Sequence, residues 1–320
     1  MSDIGTAPLH TSSDFRQARR RAFREEFRCL FLKCSANLLP FDAVRESLHL
    51  TSYSYRNLQL VPLDSIMGSV GRYHDFTRHF WPRQDALRER WQRIAYLVMW
   101  GGGLPPIQLY QVDEMYFVKD GNHRVSVARY LGAPTIESYV WEFHARVPLT
   151  LDTRLEDLPL KEELVTFLEH TDLDRVRPQQ QVVFTVRGGY RVLEEHVSAH
   201  RYWSESHQGD KITVAEAVGS WYDLVYMPVV EIIRERGLLR YFPRSTETDI
   251  YLGILNHHRY LARSLERPVS LDQAIEDYVD HFSPNLRYRV PRLLRYWLRG
   301  ERRPPATLSP ATTPTSGDVP

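Results

Sequence analysis

The run from Phe117 to Gly132, FVKDGNHRVSVARYLG, leaves the chain few ways to fold. Strand-forming residues lead straight into Asp120-Gly121. A helix pattern then starts at Asn122, with Val125, Ala128 and Leu131 facing inward. Gly121 can take the positive φ that so sharp a turn needs. Gly132 ends the helix, Pro134 blocks its continuation, and Thr135 to Phe143 returns as a strand. Upstream, Ile107 to Val112 and Met115 to Lys119 pair as a hairpin around Asp113-Glu114. Leu58 to Leu63 reads as an earlier short strand. Asp85 begins a helix with Leu87, Trp91, Ile94, Ala95 and Val98 on one stripe, stopped by Gly101-Gly102-Gly103. The expected order is strand, helix, strand, strand, helix, strand.

The junction at Gly121 also suits a particular chemistry. The first amides of a helix, here residues 122 to 125, lack intrahelical acceptors and carry the positive end of the macrodipole. They form an anion seat before any side chain contributes. Arg124 adds a bidentate fork, His123 a donor or proton acceptor, and Asp120 a group that orients the seat or holds Mg²⁺. In the competing structural reading, Asn122 caps the helix while His123 and Arg124 sit on its exposed side. A second glycine stretch, Gly68-Ser69-Val70-Gly71-Arg72-Tyr73-His74-Asp75-Phe76, offers Gly71 and Arg72 as a further wall for an anion and Asp75 as a Mg²⁺ ligand. Alternatively it is a turn in which Arg72 and Asp75 pair locally. Residues 72–93 hold six arginines against three acids.

The strand, hairpin, D-G-N-H-R box, helix, Leu131-Gly132 and closing strand together resemble the ParB/sulfiredoxin superfamily. The resemblance covers roughly Leu58 to Phe143 and includes Pro105-Pro106-Ile107 entering the hairpin and Tyr116-Phe117-Val118 before the turn. It implies a nucleotide or phosphate cradle at Gly121, Asn122, His123 and Arg124, with the Gly71-Arg72 loop facing it. Members use that seat differently: partitioning ParB proteins bind and hydrolyse CTP and clamp DNA, sulfiredoxins transfer phosphate to a sulfinic acid, and free-serine kinases phosphorylate a small amino acid. Sulfiredoxin chemistry needs a cysteine where Asn122 stands. Partitioning ParB proteins have Arg-Arg where this chain has His123-Arg124. The serine-kinase form has two histidines before the arginine, and Asn122 replaces the first.

Composition sets the surroundings. At roughly 150 residues per domain, 320 residues amount to about two domains. The 41 basic and 40 acidic residues nearly cancel, which argues against a uniformly basic nucleic-acid coat. Basic segments nevertheless lie near both ends. Residues 14–34 hold seven cations and three acids, in a helix capped by Asp14 with Phe15, Ala18, Ala22, Phe23, Phe27, Leu30 and Phe31 at helical spacing. Residues 285–303 hold seven arginines and one glutamate around a Leu-rich helix. Cys29 and Cys34 are too few for a disulfide framework or a four-ligand zinc site, and read as small apolar side chains in a reducing, cytoplasmic setting. The polar N-terminus has no apolar signal core, and no run suits a membrane span.

After Val147 the chain becomes helical. Capping boxes are expected at Thr213/Glu216, Thr246/Asp249 and Ser270/Gln273, and a kink at Pro228 in a helix closed by Gly237. His196 and His200 have i, i+4 spacing, but their apolar neighbours suit a packed helix better than a metal site. His257-His258 reads as helix surface. Trp221, Tyr222, Tyr226, Tyr251 and Tyr260 read as core.

The fold expected is therefore α+β: residues 1–55 as a basic lead-in, 56–146 as a small ParB/sulfiredoxin-like mixed domain, 147–300 as a mainly α-helical domain and 301–320 as a disordered tail. The function expected is a ParB-like nucleotide- or phosphate-binding protein serving as a regulatory or DNA-associated switch. The alternative is a small-molecule phosphotransferase or NTP hydrolase using the same seat, with His123 and Asp120 as catalytic groups. CTP or ATP with Mg²⁺ is the implied ligand; DNA and a second copy of the chain are the partners to test.

Overall fold

A computed structural model describes residues 11–32, 34–100, 105–208 and 211–284. The expected glycine stop at 101–103, the basic helix near 285–303 and the tail lie outside the described residues. The fold is α+β. By spatial proximity the chain forms two compact units, one running to Gln180 and including Val186–Trp221, the other made of Gln181–Thr185 and the chain from Tyr222.

The first unit is built on a six-stranded mixed sheet of order β1-β3-β5-β4-β6-β2. Its strands are β1 (Leu39–Pro40), β2 (Tyr53–Pro62), β3 (Ile66–Ser69), β4 (Ile107–Val112), β5 (Met115–Asp120) and β6 (Thr135–Phe143). β4 and β5 form the expected antiparallel hairpin, while β3 runs parallel to β5 and β6 parallel to β4. Central strands of such a sheet are buried on both faces, and β5 shows it. Phe117 packs edge-on to Phe41 of α2 (Phe41–Ser47), whereas Val118 joins a core with Trp91, Val125 and Val127. β1, α2 and β3 were not expected from the sequence. Strands of two and four residues are too short to show an alternation.

That second face is covered by three helices: α1 (Thr11–Leu32), α3 (Arg88–Trp100) and α4 (Asn122–Tyr130). Trp91 of α3 donates its indole N–H to Ser126 Oγ of α4 at 2.9 Å, a fully buried bond that fixes α4. The Arg129 guanidinium reaches the Leu63 carbonyl and Asp64 Oδ1, the latter at 3.2 Å, tying the end of α4 to the loop after β2.

α1 departs from expectation in three ways. It is helical from Thr11, so Asp14 is no cap; its carboxylate accepts from the Tyr130 hydroxyl at 2.8 Å. Only Phe15, Ala18, Ala22 and Cys29 of its apolar positions are buried, together with Glu25. Phe23, Phe27, Leu30 and Phe31 are exposed, the three phenylalanines packing against one another along the solvent side. The sequence carries two apolar stripes at helical spacing, and only one can face the sheet. Cys29 and Cys34 are joined in a disulfide rather than lying as separate apolar side chains. Once α1 ends, the chain folds back so that the Cys34 amide donates to the Cys29 carbonyl at 3.1 Å, which brings the two sulfurs together.

Helices α5 (Leu158–Thr171), α6 (Leu173–Val176), α7 (Gly189–Gln208) and α8 (Val214–Trp221) belong to the same unit as the sheet. The second unit contains a π-helical turn at Tyr222–Tyr226, then α9 (Met227–Glu235), α10 (Glu247–Ser264) and α11 (Leu271–Phe282). All three expected capping boxes form. Where a kink is expected at Pro228, the chain has a π turn at Tyr222–Tyr226, and Pro228 sits in the first turn of α9. Trp221, Tyr226 and Tyr251 are buried, but Tyr260 is half exposed.

Because the indole of Trp91 has no route to water, Ser126→Ala leaves its N–H unpaired. The expected loss is about 1–3 kcal/mol, read as a lowered midpoint in urea unfolding; an unchanged midpoint would show that α3 and α4 are held by packing alone.

Candidate functional site

β5 delivers the chain to Gly121, whose φ of +117° turns it directly into α4. A Cβ at this position would lie 2.5 Å from Ile107 Cγ2 and 3.3 Å from Arg124 Nε, so only glycine allows β4 and α4 to close on the turn. The first amide to find a helical acceptor is Val125, which donates to the Gly121 carbonyl at 3.0 Å. The amides of Asn122, His123 and Arg124 precede it and form the positive end of the helix.

The side chains around this end divide into two groups. Arg124 is committed to the fold: its guanidinium donates to the carbonyls of Pro105 and Pro106 at 2.7 and 2.9 Å and pairs with Asp120. Only 14% of its side chain is exposed. The expected phosphate fork is thus a strut between the hairpin entry and α4, and Asp120, its partner, is engaged with it. Asn122 is held from β3, its Oδ1 lying 2.9 Å from Ser69 Oγ, which is also 3.1 Å from the Val118 carbonyl. The N-cap position itself belongs to Gly121, with no side-chain cap.

The second group centres on His123. The residue is 4% exposed, and its ring stands edge-on to Phe76 at 5.2 Å. Among the described residues neither ring nitrogen has a hydrogen-bond partner. Buried polar atoms are rarely left so, because each unmade bond costs the group its desolvation. Burial, followed by the charges of Arg90 and Arg72, pushes the imidazole pKa down to about 4. At neutral pH the ring is therefore uncharged, with one N–H to donate and one nitrogen to accept.

Arg72 is half exposed in a left-handed turn, φ +56°, with Asp75 at 3.6 Å. Gly71 beside it borders open space, with no heavy atom within 4 Å of where a Cβ would stand. The two anticipated walls thus meet where Ser69 bonds Asn122 and Phe76 packs on His123, with Arg72 acting on the imidazole through its charge, while Arg124 and Asp120 form a separate pair. Ser69, Phe76 and Arg90 were not singled out from the sequence. Ser69 and Phe76 belong to the second glycine stretch, but nothing local distinguishes Arg90 from the other arginines on its helix.

Elsewhere, His200 shares a hydrogen bond with Ser220 Oγ at 2.8 Å, and Glu194 of the same helix pairs with His170 at 3.0 Å. Among the described residues no third ligand joins His196 and His200. His257, expected on a surface, is buried and lies 2.6 Å from Asp277.

Residues 191–282 match the model of a family described as a domain of unknown function, DUF4032. The match begins in α7 and ends with α11, leaving the sheet and the start of α4 outside it. No curated protein matches the chain.

His123 gives the fold a pH signature. Its folded pKa lies below the ordinary value near 6.5, so the unfolded chain takes up the proton first. The corresponding stability is complete above about pH 6.5 and is lost as pH falls toward about 4. Between pH 7 and 4.5 the wild type should lose on the order of 2 kcal/mol more than His123→Leu in urea titrations. Parallel pH profiles for the two proteins would contradict a buried neutral imidazole.

Proposed function

We propose that this chain binds a nucleotide or another phosphorylated ligand at the start of α4, and that binding works as a switch for association with DNA. The observation that carries the reading is His123: a buried imidazole without a protein partner among the described residues, at the positive end of a helix and within the field of Arg72 and Arg90. A phosphate oxygen can accept from the imidazole N–H and from the amides of the first helical turn, while Arg72 and Arg90 balance its charge. The resemblance to the ParB/sulfiredoxin superfamily points to the same turn.

A binding role is favoured over group transfer by how the other charged residues are used. Asp120 is neutralised by Arg124, and Asp75 faces Arg72. The DNA reading is supported by α1. Arg16, Arg20, Arg24 and Arg28 recur every four residues and are all exposed, and none is ion-paired among the described residues. Such a row suits the spacing of a phosphate backbone.

A thermal-shift panel of CTP, ATP and inorganic phosphate, with and without Mg²⁺, tests the proposal. A ligand at about 100 times its Kd should stabilise the wild type by about 2.7 kcal/mol, and Arg72→Ala should weaken the response. No shift with any of them would overturn the site. For the output, DNA affinity should fall with salt at a slope of roughly −0.9 per phosphate neutralised. A flat response would remove DNA from the account.

A further inference from the structure

Among the described residues, one group of three metal-ligating side chains converges, and it lies far along the chain from the α4 turn. His257 comes from α10, Asp277 and His281 from one face of α11. His257 Nε2 lies 2.6 Å from Asp277 Oδ1, and His281 Nδ1 lies 3.0 Å from the same oxygen. The three ligand atoms all fall within 4.8 Å of one another.

The placement follows from how the helices pack. Asp277 and His281 are four apart, so they share a helix face by necessity. The Tyr278 ring of α11 packs onto α10 at Gly253, where a Cβ would overlap its hydroxyl. One turn further along α10, His257 meets that face. Phe282 stands edge-on to the His257 ring at 5.3 Å, and Tyr278 lies 6.0 Å away, giving an apolar wall on the inner side. The opposite side opens to solvent, since the side chains of Asp277 and His281 are 28% and 37% exposed.

We propose that His257, Asp277 and His281 form a binding site for a divalent transition-metal ion. Two imidazole nitrogens and one carboxylate oxygen are the donor set that borderline ions such as Zn²⁺, Co²⁺ and Ni²⁺ take, whereas Mg²⁺ and Ca²⁺ prefer oxygen alone. At Zn–N and Zn–O distances near 2.0–2.1 Å, ligand atoms stand roughly 3.3 Å apart in a tetrahedral centre. Opening the present contacts around an ion moves these atoms apart by less than about 1 Å and releases His281 Nδ1 from the Asp277 carbonyl, which it also faces at 2.9 Å. Each imidazole binds through the nitrogen now facing Asp277, its remaining proton moving to the other ring nitrogen. Three protein ligands leave a coordination position on the exposed side for water or an anionic oxygen.

The site lies within the segment matched by DUF4032 and does not depend on the phosphate reading. The test is a Zn²⁺ titration of the full chain, prepared without a histidine tag, by calorimetry. The wild type should bind one ion per chain. His281→Ala and Asp277→Asn, both at partly exposed positions, should weaken binding by at least about 10-fold. His258→Ala, whose ring instead faces the Val269 carbonyl at 2.8 Å, should bind as the wild type does. Binding that is absent, or unchanged in the first two variants, overturns the site. Should either variant fail to fold, Co²⁺ added to the wild type decides: an intense visible spectrum of low coordination number supports the site, and the pale spectrum of the aqueous ion overturns it.

Discussion

The passage of the chain through Gly121 is the constraint on which the rest of the candidate site depends. A strand, a hairpin partner and a helix end all meet at a residue with no room for a side chain. Its left-handed φ turns β5 directly into α4, whose first amides have no side-chain cap. The closure then has to be braced, and Arg124 supplies the brace by binding two carbonyls at the hairpin entry and the carboxylate of Asp120. With the arginine so used, the proposed recognition of an anion would fall to backbone amides and to His123. A buried imidazole lacking partners lowers stability, and departures of that kind concentrate at functional or strained sites.

Much of the scaffold was legible in the sequence because local chemistry and global fold agree there. Gly132 and Pro134 end α4, the alternation after Thr135 makes β6, and the Thr and Ser caps at 213, 246 and 270 all accept the amides expected of them. Residues whose roles depend on distant partners were not legible. Arg124 looked like a free fork because the carbonyls it binds lie 18 and 19 residues away. α1 carried two apolar stripes, and the choice between them was made by α3 and the sheet. The Cys29–Cys34 bond depends on a reversal that no periodicity announces.

The two candidate sites differ in kind. The α4 turn is made by backbone geometry, with Arg124 and Asp120 engaged with each other and the His123 imidazole left without a partner among the described residues. The α10–α11 cluster is made by side chains, beside a glycine that makes room for the Tyr278 ring between the helices. They fall in separate compact units, and only the second lies in the segment with a family match. Pairing a nucleotide seat with a metal-loaded helical unit would provide two inputs whose effects can be assayed independently.

In the proposed function the bonds missing at His123 belong to a phosphate-bearing ligand. Long-range ¹H–¹⁵N NMR of protein labelled at histidine observes those two ring nitrogens directly. On adding CTP or ATP with Mg²⁺, the His123 nitrogens should move and settle into a single tautomer, while those of His170, already bonded to Glu194, stay in place. His123 resonances unmoved by every nucleotide and by inorganic phosphate would contradict the account.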